Sequence, residues 1–378
     1  MKIVLIGGHH SSAIPVIKEL QKSDSSLELV WFGHRNSTRS NKRESLEHKE
    51  ITALGLKFYS LRAGKFYRTY NPISLLMIPL GFVHALLLLI KERPDAILTF
   101  GGYLSVPVVT VGWFLRIPSV LHEQTVVVGY ANKFSSFFAK RVLLSWPDSI
   151  KFFNKKKVQV VGIPIRSEIF EASSASFICE PSLPVMYITA GKSGSNKINL
   201  LINSILEHLL DEVNIIHQCG DHSQFNDYDK LLNTYNNVKD KVRGKYFLRK
   251  FVFVDEIGEA YSRADFVLCR AGAHTVAELL ALRKPAILIP IPWVSHNEQY
   301  ENARYVQKFG LGVILDERNI SPPVLLQEIK KFSENIKSYK YNDESDLHIK
   351  LSSNAAIDIA GVILEVAKAQ KRKDVKNV

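Results

Sequence analysis

Cysteine is scarce in this chain. Only Cys179, Cys219 and Cys269 occur among 378 residues, and they share none of the short spacings that gather metal ligands. Neither a disulfide framework nor a thiolate zinc site is indicated, and a reducing compartment is expected. No G-x-G-x-x-G dinucleotide fingerprint and no Walker-type lysine loop is present, which argues against a nicotinamide enzyme and a P-loop phosphotransferase. Low-complexity tracts and short-period repeats are missing as well, which removes solenoid and fibrous classes. The opening "KIVLIG" runs straight into a strand pattern without basic, apolar and cleavage regions in succession, so a cytoplasmic location is the expectation.

Apolar and basic residues are what the chain has in quantity. An apolar share of 46% over this length is enough for two cores of about 150 to 200 residues each. The formal net charge of +12 suits an anionic partner: a phosphorylated ligand, an anionic membrane surface or nucleic acid. Short apolar runs alternate with helical patterns, twice over. In the first half the runs are "KIVLI", "LELVWFG", "AILTF", "PSVLHE", "RVLLSW" and "VQVVG". Helices are expected from Ser12 to Leu20, over residues 73–90, through "SVPVVTVGWFL" and from Tyr130. A hinge is expected at "VVGIPIRSEIF" and the Ser- and Pro-containing "EASSASFICEPSLP". The alternation then restarts with "VMYITAG", "NIIHQCG", "KFVFVD", "DFVLCRAG", "PAILIPIP" and "GVILD". This is the pattern of parallel sheets with crossover helices, an α/β chain of two Rossmann-like domains. The expected division is residues 1–165 and 166–351, with a C-terminal helix over 352–378 packing back on the first domain.

"ISLLMIPLGFVHALLLLI", residues 73–90, is nearly as long and apolar as a membrane span, but it contains Pro79, Gly81 and His84 and a strand signal follows at once. Two readings stand for it. It is a crossover helix buried in the core, or a helix whose over-apolar face rests in a bilayer surface, with Lys65, Arg68, Lys91 and Arg93 drawn to anionic lipid.

Four glycine-containing turns fall where strands meet helices: "GGHHSS", "FGGYLSVP", "AGKSGSNKIN" and "CRAGAHTVAE". The free N–H groups and dipole of a helix start favour an anion. Four such turns suit a phosphorylated ligand, with Arg166, Lys192 and Arg270 as the cations at hand rather than a metal ion. The two histidines of the first turn, His9 and His10, are the side chains that exchange protons most readily near neutral pH.

The runs "FGGYLSVP", "LHEQTVVVGYANK", "VVGIPIR", "AGKSGSNKIN", "IIHQCG", "FVDEIGEAYSRADFVLCRAGAHTVAELLALRKPAILIPIP" and "NEQYENA" stand in the order and spacing of the MurG family of GlcNAc transferases, which this chain resembles from residue 1 to about 320. The resemblance implies a GT-B fold, two Rossmann-like domains facing across a cleft, and an inverting transfer of GlcNAc from UDP-GlcNAc to the MurNAc C4 hydroxyl of the undecaprenyl-diphosphate-linked lipid I. It implies UDP-GlcNAc, a polyprenyl-diphosphate-linked acceptor and an anionic membrane surface on the inner face of the cell membrane as partners, with no nucleic acid, no cofactor and no metal.

By the same resemblance the donor site comprises Gly8, Thr125, Arg166, Lys192, Ser193, Val254, Arg270, Gly272, Ala273, His274, Thr275, Glu278, Glu298 and Gln299. Glu278 is the carboxylate for the ribose hydroxyls, Val254 offers its backbone to uracil, and Glu298 with Gln299 reads the sugar. Asn302 supports their helix. Tyr103, His122, Gln124 and Asn132 fall to the acceptor, His9 is the expected general base with His10 as second candidate, and Glu123 is an orienting or acceptor-binding group. Three departures from the family stand out: Thr125 replaces an amide, Lys192 replaces a serine, and "GGHHSS" is shorter than the Gly-Gly-Thr-Gly-Gly-His of the family. Without a gap, Ser12 would take the histidine's place, and an unactivated hydroxyl accepts no proton at neutral pH. Alternatives remain in a related transferase on another lipid-linked sugar or glycolipid, a UDP-GlcNAc epimerase needing no lipid acceptor, and a sensor that binds without turnover.

Overall fold

A computed structural model of the chain describes all residues except 8, 9, 36–43, 65–71, 192, 223, 295, 296, 343–354, 377 and 378, and the side chains of 72–76 and 373–376. The chain forms two compact units, one of Met1–Ile165 with Ile349–Val378, the other of Arg166–His348.

In the first unit the strands are β1 (Lys2–Ile6), β2 (Glu28–Gly33), β3 (Lys57–Ser60), β4 (Ala96–Thr99), β5 (Ser119–Glu123), β6 (Arg141–Leu144) and β7 (Val158–Val160). They make one parallel sheet in the order β3-β2-β1-β4-β5-β6-β7. β1 and β4 are apolar along nearly their whole length and β5 is buried throughout, because helices cover both faces. Helices α1 (His10–Ser23), α2 (Leu46–Ala53), α3 (Pro72–Glu92), α4 (Ser105–Phe114), α5 (Tyr130–Phe138) and, from the end of the chain, the last helix (Ala355–Lys376) supply that cover. The last helix lays Ile359, Ile363 and Val366 against a core that includes Val16, Ile17 and Leu20 of α1. α3 turns Gly81, Ala85, Leu88 and Leu89 inward, with Gly81 tight against Ala63, so this helix belongs to the sheet's cover. Among the described residues no helix is long and apolar enough to cross a membrane.

The second unit repeats the plan with β8 (Val185–Thr189), β9 (Asn214–Gln218), β10 (Tyr246–Arg249), β11 (Phe266–Cys269), β12 (Ala286–Leu288) and β13 (Gly312–Ile314), in the order β10-β9-β8-β11-β12-β13 and all parallel. Its helices are α6 (Asn196–Leu210), α7 (Asp227–Val238), α8 (Val254–Arg263), α9 (Ala273–Ala281), α10 (Glu298–Lys308) and α11 (Pro322–Glu334). The sheets confirm the α/β class. Both carry the doubly wound strand order, in which ligands bind beyond the carboxyl ends of the two strands where the order reverses. Those pairs are β1/β4 and β8/β11.

One expectation is corrected. "KFVFVD" is not a strand: the strand lies earlier, at Tyr246–Arg249, and Phe251–Phe253 form the loop that leads into α8. Phe251–Val254 form an apolar run like that of a buried strand, but Phe253 and Val254 point to solvent. α2 and β3 carry too weak a pattern to be anticipated, as the exposed ends and half-buried middle of β3 show, while α11 was not anticipated although Leu325, Ile329 and Phe332 recur at helical spacing.

Candidate active site

In the second unit, α9 starts at the carboxyl end of β11 with Gly272 as a cap that offers no side-chain bond. The first turn holds Ala273, His274 and Thr275, all partly exposed, and no acidic residue, so its N–H dipoles face outward uncompensated by a carboxylate. One turn deeper, the buried Glu278 is held at both oxygens. Arg166 reaches Oε1 through Nε and Nη2, each at 3.3 Å, and the Tyr261 hydroxyl of α8 donates to Oε2 at 2.7 Å. Burial and the neighbouring Glu278 raise the Tyr261 phenol well above its ordinary range, which keeps it a donor. A carboxylate accepts about four hydrogen bonds, so Glu278 retains acceptor capacity.

Around this point the chain is drawn close. Gly191 and Gly194 take left-handed φ angles, and a Cβ on Gly194 would stand 1.9 Å from the Cys219 carbonyl, so the "AGKSGSN" turn demands glycine there. Gln218 at the end of β9 donates to Thr189 Oγ1 and the Gly191 carbonyl and accepts from the Val252 N–H at 2.8 Å, which fixes the loop that delivers Val254 to the exposed start of α8. Gln299, in the first turn of α10, accepts from the Ile291 N–H at 3.0 Å and leaves its amide NH₂ without a partner among the described residues. Asn302 donates to the Ala271 carbonyl, tying α10 to the turn before α9.

Arg270 departs from its expected role as a cation for a diphosphate. Its guanidinium is buried against Glu317 and also donates to the Ile289 carbonyl and to Ser195 Oγ at 2.7 Å. A cation already neutralised at such close range is a brace between the β11 end and the cap of α6. Ser193 lies exposed on the turn before α6, and Lys192 lies outside the described residues.

In the first unit the residues of "HEQ" are interior. Glu123 accepts from the Thr125 N–H at 3.0 Å, from Thr125 Oγ1 at 2.9 Å and from Asn132 Nδ2 at 2.8 Å, while Asn132 Oδ1 receives the Gly102 N–H. Burial pushes the Glu123 carboxyl up. Enclosed in this way, it orients the loop and cannot touch an acceptor. His122 is fully buried, its Nε2 on the Gly162 carbonyl at 3.0 Å, and likewise gives up the acceptor contact expected of it. Gln124 is buried too: its Oε1 receives Ser12 Oγ at 2.8 Å and its Nε2 donates to the Phe100 carbonyl. Tyr103 is partly exposed, its hydroxyl in a short bond with His34 Nε2.

At the β1 end, His10 opens α1 with its Nε2 3.0 Å from Glu50 of α2, while Gly8 and His9 lie outside the described residues. Tyr261, Glu317, Glu47 and Glu50 were not anticipated. Only Tyr261 left a signal, inside the "FVDEIGEAYSRADF" run; the others are acidic residues that look solvated in sequence.

Comparison with known proteins follows this geometry. The glycosyltransferase family 28 N-terminal domain matches residues 6–144, and the glycosyltransferase family 28 C-terminal domain matches residues 185–358. The chain is 31% identical over 374 residues to the UDP-N-acetylglucosamine–N-acetylmuramyl-(pentapeptide) pyrophosphoryl-undecaprenol N-acetylglucosamine transferase of Legionella pneumophila, strain Paris, covering 96% of this chain and 95% of the relative. A transferase of the same name from Clostridium perfringens is 30% identical over 357 residues, covering 89% and 92%. Among solved structures, Acinetobacter baumannii MurG overlays with a TM-score of 0.69 at 23% identity, covering 97% of this chain and all of that one. The UDP-GlcNAc 2-epimerase of Neisseria meningitidis overlays at 0.63 with 16% identity, covering 97% of this chain and all of that one. The fold is therefore shared by transferases and epimerases, and sequence identity separates them.

Proposed function

Because this chain belongs to glycosyltransferase family 28, among the UDP-N-acetylglucosamine–N-acetylmuramyl-(pentapeptide) pyrophosphoryl-undecaprenol N-acetylglucosamine transferases, we propose that it moves GlcNAc from UDP-GlcNAc to the MurNAc C4 hydroxyl of lipid I, with inversion. The observation that carries this reading is Glu278, buried and doubly held one turn inside the bare N-terminus of α9.

In this reading residues 166–351 bind the donor. Ribose hydroxyls donate to Glu278, uracil meets the backbone at Val254, and the free amide of Gln299 with Glu298 contacts the sugar. As the bond to the diphosphate breaks, its negative charge grows beside the N–H groups of Ala273, His274 and Thr275, which are already oriented toward it and need no reorganisation. The acceptor hydroxyl gives up its proton to a base on the turn after β1 as its oxygen attacks the anomeric carbon.

Residues 1–165 take the lipid-linked acceptor, and this unit supports a membrane-surface role. Helices α3, α4 and α5 lie side by side. They expose Leu80, Val83, Leu87 and Ile90 on α3, Trp113 and Phe114 on α4, and Phe134 and Phe137 on α5, with Leu87 61%, Phe114 72% and Phe137 70% open. Ring contacts link Phe114, Trp113, Phe138 and Phe134 into one chain. Exposed Lys91, Arg93, Arg116, Lys133 and Lys140 flank this face. Apolar side chains within a basic rim suit the inner, anionic leaflet of a bilayer.

The test is incubation of the pure protein with labelled UDP-GlcNAc and lipid I, with and without detergent. Labelled lipid II is the expected product. Epimerisation of UDP-GlcNAc without acceptor, or binding with no turnover, overturns the proposal.

A further inference from the structure

We propose that Ser195 is a donor-binding residue whose hydroxyl gives its proton to a diphosphate oxygen of the sugar nucleotide, and that the buried Arg270–Glu317 pair holds it in that orientation. The inference rests on the transferase reading above and adds to it a residue outside the expected donor set.

Three features of the second unit lead to it. The first is position. The strand order reverses between β8 and β11, and ligands bind beyond the carboxyl ends of such a pair. Ser195 caps α6, the helix after β8, and Arg270 directly follows β11. Arg270 Nη2 donates to Ser195 Oγ at 2.7 Å, so the contact bridges the two strand ends. Neither α6 nor α9 has an acidic residue in its first turn, which leaves two helix starts for the two phosphates of a diphosphate.

The second is the hydrogen-bond inventory of the serine. A hydroxyl carries two lone pairs and one proton. Ser195 Oγ accepts from Arg270 and from the Ile198 N–H at 3.4 Å, so both lone pairs are engaged, and among the described residues no acceptor takes its proton. The residue is partly exposed. What completes it is an acceptor from outside the chain. A phosphate oxygen is the strongest that the donor offers, since hydrogen bonds to ionised partners are about twice as strong as neutral ones. The arginine donating to the same oxygen polarises the O–H bond and makes it a better donor.

The third is the hold on Arg270. Its Nη1 donates to the Ile289 carbonyl at 2.9 Å, after β12, and pairs with Glu317, after β13. One buried guanidinium thus joins the loops that follow β8, β11, β12 and β13. Its Nε–H, buried as well, has no partner among the described residues. An arginine kept only to brace these loops would have its donors satisfied by them. Glu317 cancels the guanidinium charge, so what the pair presents to the diphosphate is the oriented serine hydroxyl rather than a bare cation.

The experiment compares wild type with Ser195→Gly, Ser195→Thr, Ser195→Asp, the Arg270→Met/Glu317→Leu swap and the triple variant that adds Ser195→Gly to that swap. It reads melting temperature and the affinities for UDP and for uridine, which has the base and ribose without the diphosphate. Ser195→Gly keeps a serviceable helix cap and is expected to weaken UDP binding about 10- to 100-fold with uridine binding unchanged. Ser195→Thr is expected to restore UDP binding. Ser195→Asp caps the helix and pairs with Arg270 at least as well as serine does, but has no proton to give. A role in packing alone therefore predicts wild-type UDP binding for Ser195→Asp, and the proposal predicts a loss at least as large as in Ser195→Gly. The swap leaves the net charge unchanged and exchanges a buried ion pair for apolar side chains, which folds generally tolerate. It is expected to cost part of the preference for UDP over uridine, and nothing further once residue 195 carries the Ser195→Gly change. UDP affinity near wild type in Ser195→Gly or Ser195→Asp, or equal losses for UDP and uridine, overturns the assignment of Ser195. A swap that keeps the full wild-type preference overturns the hold by Arg270 and Glu317. The serine variants leave the ion pair in place, so the test stands even where the swap fails to fold. A wild type that binds UDP no more tightly than uridine counts against the donor reading itself.

Discussion

Two single side chains show how residues far apart in sequence define the sites. Glu278 is expected to hold the ribose by charge-assisted hydrogen bonds, so Glu278→Ala should weaken UDP-GlcNAc binding by about 1.5 to 3 kcal/mol, roughly ten- to hundredfold in Kd. Tyr261→Phe, which removes only the donor to Oε2, should have a smaller effect. Titration calorimetry that finds UDP affinity intact in folded Glu278→Ala removes the residue from the site. Gly7 carries a different lesson. In sequence the first glycine of "GGHHSS" reads as part of a phosphate cradle, yet its missing side chain makes room for the Glu47 carboxylate, forty positions away. No local pattern announces such a pairing. Gly7→Ala should therefore destabilise the first unit by about 1 to 3 kcal/mol, and Glu47→Ala in the same chain should recover part of that loss. Equal melting temperatures for Gly7→Ala and wild type would leave the close approach without consequence.

Elements were legible where their hydrophobic period was long or their strands were buried on both faces. β1, β4, β8 and β11 read as apolar runs because helices cover both sides of a parallel sheet. α2, with Ile51 its one buried residue, and the edge strand β3 bury too little to leave a pattern, and α2 proves to hold Glu50, 3.0 Å from His10. The strand at Tyr246–Arg249 was displaced onto "KFVFVD" because Phe251–Val254 are an unbroken apolar run, of which Phe253 and Val254 face solvent. Of its two readings α3 shows the core one, with Ala85, Leu88 and Leu89 packed on the sheet, while Leu80, Val83, Leu87 and Ile90 are exposed and leave surface docking as a proposal to be tested. Those exposed side chains hold no core contact to lose. Leu80→Ser, Val83→Ser and Leu87→Ser should each lower binding to anionic liposomes, more so with added salt, at an unchanged melting temperature. Vesicle binding equal to wild type in all three would end the case for a docking face, and a lowered melting temperature would place that side chain in the core.

At the scale of the whole molecule, two compact units with separate cores give unfolding two places to start, and ligand and pH can tell them apart. Ligand that binds only the folded donor unit stabilises it by mass action, about 2.7 kcal/mol at one hundred times Kd, so UDP should raise the transition of residues 166–348. A buried network in that unit adds a pH signature. His217 is enclosed between the Tyr246 hydroxyl at 2.8 Å and Asn199 Oδ1 at 3.1 Å, and Asn199 in turn donates to Asp227 and the Cys219 carbonyl. Burial pushes the imidazole down to about 3. Protonation must therefore wait for unfolding: between the ordinary histidine value of about 6.5 and that depressed value the unfolded chain binds a proton the folded chain refuses. Stability from this group is fully present above about 6.5 and falls as pH falls, by up to about 1.4 kcal/mol per unit. His217→Gln keeps an amide for both partners and removes the titration. Its UDP-raised transition should lie below wild type at neutral pH, through imperfect packing, and close the gap as the solution is acidified toward pH 4. A gap that stays constant with pH, or that closes only in the transition UDP does not raise, would show that His217 is not the group through which acid loosens the donor unit.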